Sequence, residues 1–407
     1  MLSAGVAFLG NVLVARHLGP GDFNSFYLLF AVMSVVAGLT GPAIDGSLVR
    51  FAARHITRQR DNSWPYFKFV LYLKGAILVC TLLLGGLLAQ PLIRVLFSDV
   101  AEAHASGYAI VLAFFGGAVV SLWGFAQAYF QAHMRFVLSA AYECFSSFLR
   151  LALVAGVIAL GFHNTELFLG LYVAAPLTVA LVAWFQLPTP LFHAPTSMAV
   201  GKEFIQFAKW SLVSTIFATM TQKLDLILLN LHIFAIPKEA IGQYSAAVSV
   251  VLAGELVLVT FFNVLLPKAS ALQDPGADRL FIRELRIPSL LLCLGLGLMM
   301  PLAGPFSRIV FGSQYASTGT YFTILILGII VALACAPATA VLYARGHARA
   351  IAGFEGLRLA ATLVLGTLII PQFGLLGMAF VVTLVRALAN IVMYMVALRL
   401  CRAAAIT

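Results

Sequence analysis

The chain carries few charges. Of its 407 residues only 10% are Asp, Glu, Lys or Arg, whereas 62% are hydrophobic. Soluble domains have about 25% charged and about 45–50% apolar residues. A soluble core cannot absorb such an excess, so most of the chain must face lipid or other membrane helices. The shortage of charge therefore excludes an ordinary water-soluble fold and predicts an all-α polytopic membrane protein.

Signatures of cofactor chemistry are also missing. The five cysteines lie in or beside apolar runs, with no CxxC pair and no Cys/His cluster, so we expect no metal site. No Walker motif is present, and we expect neither a cofactor nor direct use of ATP. The net charge of +10 comes without a basic–aromatic face, which argues against nucleic acid. The basic residues are better explained as determinants of membrane topology.

Apolar runs long enough to cross a bilayer as helices dominate the chain. A helix needs about 20 apolar residues to span about 30 Å of hydrocarbon. We predict about twelve such spans, at roughly 2–15, 25–49, 66–89, 107–130, 140–161, 166–186, 204–231, 241–266, 287–304, 318–343, 350–370 and 374–398.

Two sequence matches at one offset indicate an internal repeat. Residues 91–97 (PLIRVLF) recur as 305–311 (PFSRIVF), and 129–135 (YFQAHMR) recur as 343–349 (YARGHAR), both 214 residues apart. We expect the matched Pro91 and Pro305 to cap the third and ninth helices. Duplicated membrane halves are a common transporter design, with the substrate site between them.

Basic residues collect in the loops after the even-numbered spans, which predicts that these loops and both termini are cytoplasmic. Six spans in each half let both halves insert with the same orientation, so the repeat is parallel. The proline-rich stretch at 187–203 predicts a cytoplasmic linker between an N-terminal bundle (1–186) and a C-terminal bundle (204–407). The even-loop cations include Arg50, Arg54, Arg58, Arg60, Lys68, Arg135, Lys268, Arg279, Arg283, Arg286, Arg345 and Arg349.

The first span is short. Its counterpart in the second half has more helix before it, from about 203 to 219. We expect the true start to lie upstream, although a stub that leaves a gap in the bundle stays open. A cleaved signal peptide is disfavoured because no basic segment precedes the apolar stretch.

Several short motifs follow one another along the chain. They are RHLGPGDF (16–23), LDLILL (224–229), PKEAIGQYSAA (237–247), LPK (266–268), FGSQY (311–315), LYARGHAR (342–349) and IPQFGLLGMA (370–379). In this order they resemble the motifs of bacterial polysaccharide flippases, the O-antigen and exopolysaccharide translocases, although Asn24 and Ile236 stand where the pattern has glycine. The superfamily of these flippases also holds lipid II flippases and multidrug and toxin extrusion transporters.

This resemblance implies a V-shaped bundle whose central cavity opens alternately to the two membrane faces. It also implies a lipid-linked saccharide as the transported molecule. The partners expected with such a protein are membrane lipid, a polysaccharide polymerase and chain-length proteins.

Ionisable residues inside the spans are the candidate site, because a charge in hydrocarbon is costly unless it reaches water or a partner. Lys223 and Asp225 lie two apart in the seventh span, about 200° around a helix, so they cannot form one simple pair. Either one of them faces the cavity and binds a charged substrate or ion, or both belong to fixed interhelical salt bridges.

Arginines in the middle of spans are candidates for substrate binding. Arg150 in span 5 and Arg386 in span 12 have the geometry to hold a phosphate through two hydrogen bonds. Arg150 shares a helix face with Glu143. Lys74 in span 3 either binds substrate or extends its ammonium to the interface.

Two acidic residues are candidates for coupling to H⁺ or Na⁺. Asp45 follows Gly41-Pro42, which can kink a helix, and Glu255 stands alone in span 8. A capping or hydrogen-bonded role is the alternative for Asp45. Polar partners for a sugar are Gln127, Tyr129, Gln131, Gln222, Asn230 and Asn263; Tyr129 is also explained as an interfacial anchor.

The sequence thus favours an inner-membrane flippase that moves an undecaprenyl-diphosphate-linked oligosaccharide for surface polysaccharide biosynthesis. The alternative is a cation-coupled multidrug or metabolite exporter, which calls for a cavity dominated by acids. An enzyme that polymerises or ligates the same sugars is disfavoured, because such enzymes need a large outward loop and none is present.

Overall fold

The structure, a computed structural model, describes residues 2–57, 63–96, 100–193, 198–272 and 275–403. Arg58, Arg60 and Phe97 lie outside these ranges. Within them the chain is helical and contains no β-strand. The helices are α1 (Leu2–Thr40), α2 (Pro42–Thr57), α3 (Trp64–Leu96), α4 (Val100–Ala132), α5 (Phe136–Ala159), α6 (Thr165–Trp184), α7 (Pro190–His193), α8 (Met198–Leu229), α9 (Lys238–Ala271), α10 (Pro275–Glu284), α11 (Arg286–Gly297), α12 (Ala303–Phe311), α13 (Thr318–Ala344) and α14 (Ala348–Ala403).

The helices form the twelve predicted passes, although some helices and passes do not correspond one to one. Gly19 (φ 75°, ψ 172°) divides α1 into two passes, and Gly374 (φ 55°, ψ −138°) divides α14. Glycine adopts these positive φ values without steric strain. The second pass bends at Gly41 and continues as α2, as its Gly-Pro pair predicts. In the ninth pass, α11 and α12 are separated by a turn.

This arrangement explains why nine stretches of the described chain are, by length and composition alone, able to cross a membrane. Two of the nine, Leu2–Ala52 and Arg349–Cys401, each contain two passes. The two pieces of the ninth pass are each too short to qualify. The predicted polytopic all-α fold is confirmed.

The repeat appears in the backbone of the turns. Residues with positive φ pair between the halves as Gly19 with Ala235, Met134 with Gly346, and Gly161 with Gly374. Each pair is separated by nearly the 214 residues of the sequence repeat. The same turns therefore follow corresponding passes, which is what two parallel six-helix repeats require.

Some predicted boundaries need correction. The ninth pass extends from Arg286 to Phe311, beyond the predicted 287–304. Pro91 lies inside α3, and Pro305 lies in the first turn of α12. Neither proline therefore caps the end of its pass, contrary to the prediction. The seventh pass begins at Met198, and the helix therefore takes up the last residues of the predicted 187–203 linker. The division into bundles 1–186 and 204–407 stays a prediction.

The two halves meet tightly at one end of the molecule, called here the sealed end, formed by the turns at 18–20, 160–164, 230–237 and 312–317. Gly242 of α9 packs on the Pro20 carbonyl so closely that a β-carbon would overlap it. The Tyr315 hydroxyl donates a 2.8 Å hydrogen bond to the Ala15 carbonyl. Asn24 donates to Asn230 across the same contact at 2.8 Å. One buried apolar cluster continues across both halves here.

The halves diverge toward the opposite end, called here the basic end and formed by α10 and the turns at 133–135 and 345–347, except that the N-terminal part of α8 packs on α2 and α3. Arg345 holds α10 through two hydrogen bonds to the Asp278 carboxylate, at 2.7 and 2.9 Å. These hydrogen bonds raise the pKa of the Arg345 guanidinium. The resulting shape is the predicted V, closed at the sealed end.

The close contact at Gly242 gives a stability prediction. Gly242→Ala must push α9 away from Pro20, and such overpacking costs about 1–3 kcal/mol. We expect a lower midpoint of thermal unfolding in detergent micelles than for the wild type. Gly295→Ala is the matched control, because a β-carbon at Gly295 meets no atom within 4 Å. Equal midpoints for the two variants would show that the contact contributes nothing to the seal.

Candidate functional site

A cavity of about 850 Å³ lies between the diverging halves. Its walls come from α1, α2, α4, α5, α6 and α8, with Tyr343 from α13. At the basic end the cavity reaches Gln131 and Glu143, near the ends of α4 and α5. Its deepest residues include Phe30, Arg150 and Tyr172, near the middle of their passes. The cavity thus opens at the basic end and is closed below the sealed end.

Arg150 is the one cation among the described residues that line this cavity. Its guanidinium carbon lies 4.7 Å from the centre of the Tyr172 ring. Its buried Nε atom has no hydrogen-bond partner in the described chain. A guanidinium in this position keeps donors available for an anionic ligand.

Lys223 of α8 lies directly behind the cavity wall. Its Nζ atom is 5.6 Å from the centre of the Tyr27 ring and 5.9 Å from that of Phe30. Phe30 in turn packs edge-on against Tyr172, with ring centres 5.5 Å apart. These five residues, called here the cation–aromatic cluster, place two cations from different halves on one connected set of rings.

Asp225 is separate from Lys223, as their spacing predicts. Its carboxylate accepts hydrogen bonds of 2.8 Å from the Tyr244 hydroxyl and from the backbone N–H of Leu226. Both partners are neutral, and the three residues belong to the second half. Asp225 lines a small space of about 40 Å³ that it shares with Glu255 and Arg386.

Asp45 and Lys74 form a buried ion pair. The Nζ atom lies 2.7 Å from Asp45 Oδ1 and also donates to the backbone carbonyl of Ser121. Lys74 therefore does not extend to the interface. Gly124 makes room for the carboxylate, because a β-carbon there would overlap Asp45 Oδ2. The pair ties α2, α3 and α4 together and leaves only Asp45 at the cavity surface.

The second half has its own charged lobe of about 270 Å³. The Arg386 Nη2 atom lies 2.7 Å from Glu255 Oε1, and the Arg358 Nη1 atom lies 3.3 Å from Glu355 Oε2. All four of these side chains line the lobe. Gln222 and Tyr343 line both this lobe and the large cavity, so the two are neighbours across α8 and α13.

The polar candidates divide into two groups. Gln127, Gln131 and Gln222 line the large cavity. Tyr129 packs in an aromatic group with Phe67 and His133. Asn230 is part of the seal, and Asn263 is exposed outside the cavities described.

Sequence reasoning missed the aromatic residues of the cation–aromatic cluster. Tyr27 and Phe30 lie three apart in the second pass, a spacing that places them on one helix face. Two aromatic residues at this spacing are common in apolar helices. They indicate a binding site only once Lys223 is seen to lie close to both rings. Glu355 and Arg358 lie three apart on one helix face, a spacing that indicates a pair but gives no sign of the cavity that both residues line.

Comparisons with known proteins agree on the fold. The sequence model of the polysaccharide biosynthesis protein family matches residues 1–273, which is more than half of the chain. No curated protein sequence matches.

Solved structures with similar folds cover almost the entire chain. An inward-facing multidrug resistance transporter of the MATE family, in the MOP superfamily, superposes with a TM-score of 0.81 at 12% identity, covering 99% of this chain and 96% of its own. The lipid II flippase MurJ, in an inward closed conformation, gives 0.77 at 12% identity, covering 98% and 86%. A MOP superfamily transporter from Pyrococcus furiosus gives 0.64 at 13% identity, covering 99% and 94%.

The Asp45–Lys74 pair gives a second stability prediction. Lys74→Met strands a carboxylate in the bundle and should cost about 3–5 kcal/mol, whereas adding Asp45→Asn should restore most of the loss. The measurement is the unfolding free energy of the two variants in micelles. As a control, Arg308→Met removes an exposed cation and should change the unfolding free energy by about 0.5 kcal/mol or less. Equal losses in the single and double variants would contradict a paired role for Lys74.

Proposed function

Because the chain belongs to the polysaccharide biosynthesis protein family, we propose that it is a flippase in the bacterial inner membrane. It moves an undecaprenyl-diphosphate-linked oligosaccharide outward by alternating access, for surface polysaccharide biosynthesis. No bond is made or broken in this process.

The position of Arg150 carries the proposal. A lipid-linked diphosphate is an anion that must cross the hydrocarbon layer with its head group. A guanidinium binds phosphate oxygens through two parallel hydrogen bonds, and such charge-assisted bonds are stronger than neutral ones. Arg150 faces a cavity large enough for a solvated head group, and no carboxylate of the described residues neutralises it.

Lys223 supports the same site from behind. Its ammonium rests on the rings of Tyr27 and Phe30, so its charge contributes to the potential without closing the cavity. The two cations of the cation–aromatic cluster come from α5 and α8. An anion bound at Arg150 would contact the first half and would also be attracted by the charge of Lys223 in the second half. Such a substrate can favour movement of the two halves relative to each other.

The alternative is a cation-coupled drug or metabolite exporter. Such a transporter needs an accessible carboxylate in its cavity, and Glu143, which accepts a hydrogen bond from the neutral Gln127, meets that need near the basic end. Asp45 and Glu255 each lie 2.7 Å from a cationic partner. Both stay candidates for coupling to H⁺ or Na⁺, because a proton or cation bound at either carboxylate would compete with its basic partner.

The membrane orientation belongs to the same proposal. The even-numbered loops carry most of the lysine and arginine, so the basic end and both termini face the cytoplasm. The cavity would then open where lipid-linked precursors are made. A polysaccharide polymerase and chain-length proteins on the other side would use the delivered oligosaccharide.

Substitution of Arg150 tests the function. Arg150→Gln removes the only cation of the described cavity wall, and we expect translocation in proteoliposomes to fall by about tenfold to hundredfold, since a charge-assisted hydrogen bond contributes about 1.5–3 kcal/mol. Arg150→Lys keeps the charge but lacks the planar pair of donors, so its translocation rate should fall less than that of Arg150→Gln. Lys223→Gln should also slow translocation. The probe is a polyprenyl-diphosphate oligosaccharide. Its translocation is measured by the reaction of the exposed sugar with a membrane-impermeant reagent.

The control variant is Arg349→Gln. Arg349 also rests on an aromatic ring, 5.4 Å from the centre of Trp210, but does not line the cavity. It should therefore translocate at the wild-type rate. Wild-type rates in the Arg150 and Lys223 variants, at equal protein levels, would contradict the flippase site. Transport of an organic cation instead of the lipid-linked probe would favour the exporter.

A further inference from the structure

We propose that the large cavity selects lipid-linked saccharides without a carboxylate on the sugars near the diphosphate, and that Glu143 sets this preference, a specificity that rests on the flippase function proposed above. The substrate class is therefore a neutral or amine-bearing oligosaccharide, as opposed to one containing uronic acid. The reasons are the direction in which the sugars must lie and the charges they meet there.

The sugars extend from Arg150 toward the basic end. The cavity stops beneath the sealed end, where the contact of Gly242 with Pro20 closes the space between the halves. A saccharide joined to a diphosphate at Arg150 has room only in the opposite direction. Glu143 precedes Arg150 by two turns of α5, about 10 Å along the helix, on the same face. The sugars therefore pass the Glu143 carboxylate.

The wall along this path carries hydroxyl and amide groups among apolar residues. Such groups both donate and accept hydrogen bonds, which suits the hydroxyl and acetamido groups of neutral sugars. The residues that provide them include Ser34, Gln131, Ser146, Ser147, Ser214 and Thr215.

The charged groups of the wall discriminate against acidic sugars. Besides Arg150, the charged side chains of the described lining are two carboxylates, Asp45 and Glu143. Lys74 neutralises Asp45. Glu143 accepts a 2.7 Å hydrogen bond from Gln127, a neutral donor, and has no cationic partner among the described residues.

A carboxylate on the sugar would meet this negative charge without a counter-ion. Arg150 is occupied by the diphosphate, and the guanidiniums of Arg358 and Arg386 in the second lobe are already paired with carboxylates. Like charges brought together in a site partly shielded from water disfavour binding. An amine on the sugar would instead be attracted.

The experiment compares two matched probes on the full-length protein in proteoliposomes. Both are polyprenyl-diphosphate disaccharides, and they differ only in the terminal sugar, glucose or glucuronic acid. The readout is the rate at which the sugar becomes accessible to membrane-impermeant periodate. We expect the glucose probe to move about tenfold faster, in line with the cost of a like-charge contact. Glu143→Gln should accelerate the glucuronate probe and bring the two rates together.

The control is Glu203→Gln. Glu203 also accepts a hydrogen bond of 2.8 Å, from the Tyr66 hydroxyl, but does not line the cavity, so discrimination should persist in this variant. Equal wild-type rates for the two probes, or unchanged discrimination in Glu143→Gln, would overturn the specificity and leave the flippase function standing. Failure of the wild type to move either probe would refute the flippase function, and the specificity with it.

Discussion

The cost of placing a charge in hydrocarbon governs this structure. Each intramembrane cation must meet a carboxylate, water or an aromatic face, and the pairs that form determine how the helices pack. Lys74 with Asp45 joins α3 to α2, and Arg386 with Glu255 joins α14 to α9. Arg150 and Lys223 have aromatic rings in place of carboxylates. Of these four cations, the two without an ion pair are thus the ones beside the cavity, where a ligand can take the missing role.

The ion pairs and the seal have different chemistry. The pairs Asp45–Lys74 and Glu255–Arg386 each lie within one half of the repeat, so either half can move without separating them. The contacts between the halves at the sealed end are mostly backbone and neutral, as between Gly242 and Pro20 or between Asn24 and Asn230. Such contacts can separate without stranding a charge in lipid. The distribution of charge therefore suits two rigid bodies with a separable contact.

The passes, the repeat and the isolated charges could be predicted from the sequence, because length, apolarity and the spacing of residues on one helix are local properties. The separation of Lys223 from Asp225 followed from two residues of spacing. The partners of the charges could not be predicted, because Glu255 and Arg386 are 131 residues apart and meet only through helix packing. The division of the ninth pass also escaped prediction, although Gly297 and Pro301 mark the turn between α11 and α12, because both residue types are also tolerated inside membrane helices. The rings of Tyr27 and Phe30 gained significance only when Lys223 was found above them.

The short turns of the sealed end limit how much polypeptide other macromolecules can contact from that side. Gly19 and Gly374 each reverse the chain between two passes with a single residue outside helical geometry. The other described turns at this end are also short, at 160–164, 230–237 and 312–317. Of the described residues, these turns therefore place mostly backbone and a few side chains at this end. An antibody, phage protein or protease that approaches the sealed end would meet only short turns of the described chain.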